Sequence, residues 1–202
     1  MLCAVLIPSR ARPDRLLKTI ESVINSTKAK DVEILLRFDE DDTETLHRRY
    51  EFTEFGCGAI PTRFIVGPRG RGYPDLNKMY GELAAATTAK WLWMMNDDAV
   101  IVGNNWVEQL RELPTTGLLV QPEMYQLGHS RYANSEGGAF PIFPNGCWRP
   151  EWSDELVDPL DAKIDELLRG QRGWKTHFLP GIEVIHDRDD DAALEAHRTL
   201  PK

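Results

Sequence analysis

The chain has 202 residues, 42% hydrophobic and 28% charged, which is enough for one globular domain with a packed core and unlike a disordered or fibrous chain. Its 32 acidic and 24 basic residues give a formal net charge of -8 at pH 7. That balance argues against binding to a nucleic-acid backbone, where Lys and Arg must neutralise phosphates, and suits a site in which a cation supplies positive charge.

Three cysteines, Cys3, Cys57 and Cys147, show no CxxC or other ligand spacing and read as reduced thiols of a cytoplasmic protein. No apolar run nears the ~20 residues of a membrane span. The first one, residues 2–7, is too short for a signal peptide and runs at once into Arg10 and Arg12. No membrane anchor is expected.

Residues 2–7 read as a continuous apolar strand closed by Pro8-Ser9. A helix follows from Pro13, a residue suited to a first turn. Leu16, Leu17, Ile20, Val23 and Ile24 keep the i, i+3, i+4 spacing of one buried face. The pattern then predicts a strand at 32–38, a helix at 42–52, a strand at 62–66 and a helix at 75–88 that buries Leu76, Met79, Tyr80, Leu83 and Ala84. A fourth strand, 90–95, ends at Asn96-Asp97-Asp98. Strands alternating with helices imply right-handed crossovers and an α/β domain with a mostly parallel central sheet. Ligands collect beyond the carboxyl ends of such strands, so the chemistry is expected at residues 9–12, 39–42, 68–77 and 96–98.

The second half is less regular. A helix is predicted at 106–113 and a strand at 118–121. Residues 125–150, with many Gly, Pro, Asn, Ser and aromatic residues, read as a binding loop. A helix from Asp158-Pro159 to about Arg169 comes next, then short strands at 176–179 and 182–185 that end at His186. Residues 1–186 are expected to form one domain and 187–202 an acidic C-terminal tail.

Asn96-Asp97-Asp98 sets two carboxylates side by side after a buried strand, where they repel unless a cation or solvent offsets them. Oxygen ligands of this kind suit Mg²⁺ or Mn²⁺, which take one or two carboxylates and complete their shell with phosphate oxygens and water. The bland alternative is a solvated turn or helix cap. Arg69 and Arg71, in the Gly-containing stretch 68–75, could neutralise a diphosphate. That stretch is neither a P-loop nor a dinucleotide fingerprint.

Several segments, in this order and spacing, resemble family 2 glycosyltransferases of the GT-A fold. They are Val5-Leu-Ile-Pro-Ser-Arg-Ala-Arg-Pro13 with Leu16, Leu17, Ile20 and Ser22; residues 33–42; Gly72 to Asn77 followed by residues 86–98; Trp152-Ser-Asp-Glu155; and Gly173-Trp174 through His186. The resemblance covers residues 2–186 and implies a metal-dependent transfer of a sugar from a nucleoside-diphosphate donor to an acceptor hydroxyl, with inversion. It further implies that Pro8, Ser9 and Arg10 line the nucleotide pocket, that Asp39 binds the base, and that Asn77 stands on the helix of the Gly…Asn segment. Asp98 takes the metal-ligand position, Asp97 lies near the ribose or diphosphate, and His186 completes the shell of Mn²⁺ or Mg²⁺. Asn96 departs from the family's first Asp and brings no charge to the ion.

Inversion needs a carboxylate that deprotonates the acceptor hydroxyl opposite the leaving group. Asp154, Glu155, Asp158 and Asp161 are candidates, and the family's base at a helix start favours Asp158. Two other functions use the same features. A nucleotidyltransferase would carry a Gly-rich basic loop after the first strand, which residues 8–13 lack. A non-catalytic nucleotide- or sugar-binding module would keep the fold without turnover.

Overall fold

The computed structural model describes residues 1–55, 60–71, 75–127, 130–133, 140–149 and 164–186. The first half consists of β1 (Cys3–Ser9), α1 (Pro13–Asn25), β2 (Val32–Asp39), α2 (Thr43–His47), α3 (Arg49–Phe55), β3 (Thr62–Gly67), α4 (Leu76–Ala85) and β4 (Trp91–Met94). The second half adds β5 (Ala99–Val102), α5 (Trp106–Glu112), β6 (Leu118–Leu127), β7 (Ser130–Ala133), β8 (Ile142–Pro144) and β9 (Lys175–His186). One sheet runs in the order β3-β2-β1-β4-β8-β6-β9-β5, with β7 paired to β6.

The β3-β2-β1-β4 portion is wholly parallel. Every residue of β1 and β2 is buried, because helices cover both faces, and this accounts for their unbroken apolar runs. Successive side chains alternate between two cores. Cys3, Val5 and Ile7 pack with Leu16, Ile20 and Val23 of α1 and with Trp106 of α5. Ala4 and Leu6 pack with Tyr80, Leu83 and Ala84 of α4. Two serines, Ser22 on α1 and Ser26 at its C-terminal cap, serve as polar links. The Ile101 amide donates to Ser22 Oγ at 3.0 Å, and Trp106 Nε1 donates to Ser26 Oγ at 2.9 Å.

The helix expected at 42–52 is two helices. Asp42 caps α2 by accepting from the Thr45 amide at 3.1 Å. The Arg48 amide then closes on Thr45 O at 3.1 Å, a tight turn that ends α2 before α3 begins. The strands expected at 176–179 and 182–185 are one strand, β9. It bends at Pro180-Gly181, where Gly181 has φ +72 and β6 shifts register between Pro122 and Met124. Strands β5, β7 and β8 were not expected, and β7, β8 and the end of β6 fall within the stretch 125–150 read as a loop.

Strands β6 and β9 are parallel to each other, and β8 is antiparallel to both β4 and β6. Strand β9 therefore runs in the same sense as β1 to β4 and delivers His186 to their carboxyl ends. Among the described residues no helix is long and apolar enough to cross a membrane, and Cys3 and Cys147 are free thiols.

Candidate functional site

Strand order reverses at β1: β2 and β3 lie on one side of it and β4 on the other. A crevice opens at such a switch point beyond the carboxyl ends. Ser9 and Asp97 meet there, with Ser9 Oγ donating to Asp97 Oδ2 at 2.7 Å. The link between β1 and α1 turns sharply through Ala11, whose φ is +54. Its amide donates to Asp42 Oδ2 at 2.7 Å.

This turn brings Arg12 over the two carboxylates. Nη2 lies 2.5 Å from Asp97 Oδ1 and Nη1 lies 2.9 Å from Asp98 Oδ2, with Arg15 4.0 Å from the same Asp98 oxygen. Asp97 and Asp98 are 1% and 7% exposed, so their environments decide their charge. Burial pushes Asp97 up to about 6 against the pull of Arg12 and Ser9, and the adjacent Asp98 charge adds to the rise. Burial also works to raise Asp98, but His186 and Arg12 outweigh it and hold its carboxyl below the usual range.

Asp98 Oδ1 is buried and has His186 Nε2 beside it at 2.9 Å. Register explains the meeting: β5 begins directly after Asp98, and Ala99 pairs with His186 across the antiparallel β5–β9 ladder. Phe140 packs edge-on against the His186 ring, with centroids 5.6 Å apart. The Asn96 amide nitrogen stands 3.2 Å from His186 Nε2. Tyr80 OH donates to Met95 O at 2.8 Å and also lies 3.3 Å from Asn96 Oδ1.

These groups fit a small divalent ion. Two adjacent ligands around an octahedral ion with bonds of ~2.1 Å are about 3.0 Å apart, close to the Asp98–His186 separation. One carboxylate oxygen and one imidazole nitrogen suit Mn²⁺ or Mg²⁺, and the nitrogen favours Mn²⁺. Among the described residues no group of three or more His, Cys, Asp or Glu could hold a metal. Water, the Asn96 amide or a bound phosphate would therefore have to complete a shell.

On the β2 side of β1, Asp39 is fully buried and tied on both oxygens. Oδ2 accepts from Arg10; Oδ1 accepts from Arg37 and, at 3.2 Å, from the Gly70 amide. Arg37, 2% exposed, also donates to Glu82 at 2.9 Å and to Pro68 O at 2.6 Å. Arg10 reaches on to Asp41 at 2.7 Å, and that hydrogen bond lowers the Asp41 carboxyl. Arg10, Arg69, Gly70 and Arg71 line a cleft beside this network. Arg71 itself is exposed and pairs with Asp75 at 2.7 Å.

Of the expected site residues, Ser9, Asp97, Asp98 and His186 come together around the crevice, and Arg10 and Asp39 form a second group next to it. Pro8 precedes Ser9 on β1, and Asn77 is buried in the first turn of α4. Asp154, Asp158 and Asp161, with Glu155, lie outside the described residues. The bridging Arg12, the buried Arg37 and the Tyr80 hydroxyl were not singled out from sequence. Arg37 leaves a readable signal, a lone arginine inside an apolar run that ends in Asp39.

Several solved structures share the fold. TarS residues 1–349 from S. aureus, in complex with UDP, matches with a TM-score of 0.65 and 10% identity over 92% of this chain and 60% of that one. The same protein in complex with UDP-GlcNAc matches with a TM-score of 0.66 and 10% identity over 94% and 61%. The mannosyltransferase PcManGT from Pyrobaculum calidifontis, in complex with GDP-Man and Mn²⁺, gives a TM-score of 0.71 and 11% identity over 97% and 60%. The chain thus spans about 60% of the length of these solved chains, the TarS one being residues 1–349 of that protein. No curated protein matches it by sequence. The model of the glycosyl transferase family 2 matches residues 4–139, which include Ser9, Arg12, Asp39, Asp97 and Asp98 and stop short of Asp158 and His186. With two thirds of its length matched in this way, the chain belongs to glycosyl transferase family 2.

Proposed function

We propose that this chain transfers a sugar from a nucleoside-diphosphate donor to an acceptor hydroxyl, with inversion and with Mn²⁺ or Mg²⁺ bound at Asp98 and His186. The observation that carries this reading is the buried Asp98 Oδ1 facing His186 Nε2 at 2.9 Å beside the switch-point crevice. Structures of the same fold hold UDP, UDP-GlcNAc, or GDP-Man with Mn²⁺, which supports a donor of that class. When bound, the ion supplies Lewis-acid neutralisation of a departing diphosphate.

The chain's own residues divide the remaining work. Arg10 and Asp39 act as one unit that recognises the base, since Asp39 holds the Arg10 guanidinium at the crevice wall. Arg71 belongs to the same nucleotide side, because it lines the same cleft as Arg10. Pro8, Ser9 and Asn77 form the floor, and Ser9 fixes Asp97 near the ribose or diphosphate. Asp158 is the leading base, with Asp161 and Asp154 as alternatives; it accepts the acceptor hydroxyl's proton as the new glycosidic bond forms. The free thiols Cys3 and Cys147 fit a reducing compartment such as the cytoplasm.

A thermal-shift screen of UDP-, GDP-, CDP- and dTDP-linked sugars with and without Mn²⁺ tests the reading, because a ligand that binds the native state raises its apparent stability. One donor class should raise the melting temperature only with the metal, and it should also be hydrolysed or transferred. Metal-dependent binding without turnover across acceptors would favour a binding module instead.

A further inference from the structure

We propose that Arg12 selects the ion at Asp98 and His186, admitting Mn²⁺ or Mg²⁺ and rejecting Ca²⁺, by keeping one of the two Asp98 oxygens to itself. The inference rests on the reading of Asp98 and His186 as metal ligands. Asp97 and Asp98 together carry four carboxylate oxygens, and three of them are held by Ser9 or Arg12. Ser9 Oγ holds Asp97 Oδ2 at 2.7 Å. The planar Arg12 fork takes Asp97 Oδ1 at 2.5 Å and Asp98 Oδ2 at 2.9 Å. Asp98 Oδ1 is the oxygen that neither Ser9 nor the Arg12 fork is seen to hold, and it faces His186 Nε2 at 2.9 Å.

A site of this make-up offers an incoming ion one carboxylate oxygen and one ring nitrogen. Mg²⁺ and Mn²⁺ accept such a set and fill the rest of an octahedron with water and phosphate oxygens. Ca²⁺ takes six to eight oxygen ligands, commonly with a bidentate carboxylate, and gains little from an imidazole. Asp98 could become bidentate only by giving up Arg12. The Arg12 side chain is 37% exposed, but the turn it springs from is anchored: the Ala11 amide donates to Asp42 at 2.7 Å, and Pro13 opens α1 right after Arg12. Asp97 and Asp98 are buried at the other end of the contact, so neither carboxylate can rotate freely into solvent.

Calorimetric titration of the metal-free protein with Mn²⁺, Mg²⁺ and Ca²⁺, without nucleotide, tests this. The wild-type chain should bind Ca²⁺ at least ~10-fold more weakly than Mn²⁺. Arg12→Gln frees Asp98 Oδ2 and should raise Ca²⁺ affinity more than Mn²⁺ affinity, collapsing the ratio. Arg12→Lys keeps a positive charge but cannot span both carboxylates; it guards against a folding defect in the Gln variant and should also lower the ratio. An unchanged Mn²⁺ to Ca²⁺ ratio in the Lys variant overturns the role of Arg12. Asp98→Asn separates the two levels. Loss of Mn²⁺ binding in that variant alongside an unchanged ratio in the Arg12 variants removes only the selection role. Undiminished Mn²⁺ binding to Asp98→Asn removes the metal site and the selection role together.

Discussion

Asp98 and His186 reach 2.9 Å of each other through the pairing of Ala99 with His186, the first rung of the β5–β9 ladder. The far end of that ladder is pinned where Gly103, at φ +105, passes against Gly181. A Cβ on Gly103 would lie 2.3 Å from Gly181 O, a backbone atom that cannot step aside. Gly103→Ala should therefore cost about 2 kcal/mol or more from left-handed strain and overlap, read by urea unfolding. A loss under 0.5 kcal/mol would mean the strands separate freely there.

Asp97 should make the metal-free protein's stability depend on acidity. Its folded pKa of about 6 lies above the ordinary value of 3.8. The protonated form is thus favoured by folding; its contribution is full below about 3.8 and is lost as pH rises through 6. Asp97→Asn mimics the neutral form. The stability of the variant relative to wild type should improve between pH 4.5 and pH 7.5 by an amount on the order of 2 kcal/mol. Melting curves in EDTA read the difference, and a gap that is constant or shrinking with pH would contradict the burial argument.

Arg37 is the sole fully buried cation beside Asp39 among the described residues. Arg37→Met keeps much of the volume but leaves Asp39 with Arg10 and the Gly70 amide as partners. Removing one member of a buried ion pair costs about 3 kcal/mol or more, and the same loss should weaken nucleotide binding through a displaced Arg10. Denaturant titration and nucleoside-diphosphate affinity check both effects. Full stability with intact affinity would show that Arg10 alone positions Asp39.

Asp158→Asn should leave metal-dependent donor binding unchanged and abolish transfer. Donor affinity by calorimetry and product formation by chromatography check it. Retained transfer would move the base to Asp161 or Asp154.

The parallel half of the fold was legible because its signals are long and unmixed. The apolar runs of β1 and β2 are buried on both faces, and α1 repeats its apolar residues at helical spacing. The second half hid its strands for physical reasons. β5 has four residues and β8 has three, too few for a period to show. β9 is interrupted in sequence by Pro180-Gly181 although its hydrogen-bonded ladder with β6 continues past the bend. The acidic turn at Asp97-Asp98 was readable as chemistry at a strand end. Its clamp was not: Arg12 reaches it only because Ala11 adopts a left-handed conformation that alanine rarely takes, and no sequence pattern announces it.

The most direct test of the account is the affinity of UDP and GDP for the wild-type, Asp98→Ala and His186→Ala chains, titrated with Mn²⁺ and with EDTA. One nucleotide should bind wild type at least ~10-fold tighter with Mn²⁺ than with EDTA, a gain that follows from diphosphate oxygens completing the ion's shell. Both variants should lose that gain while keeping the EDTA-level affinity. Equal Mn²⁺ enhancement in wild type and Asp98→Ala would contradict it.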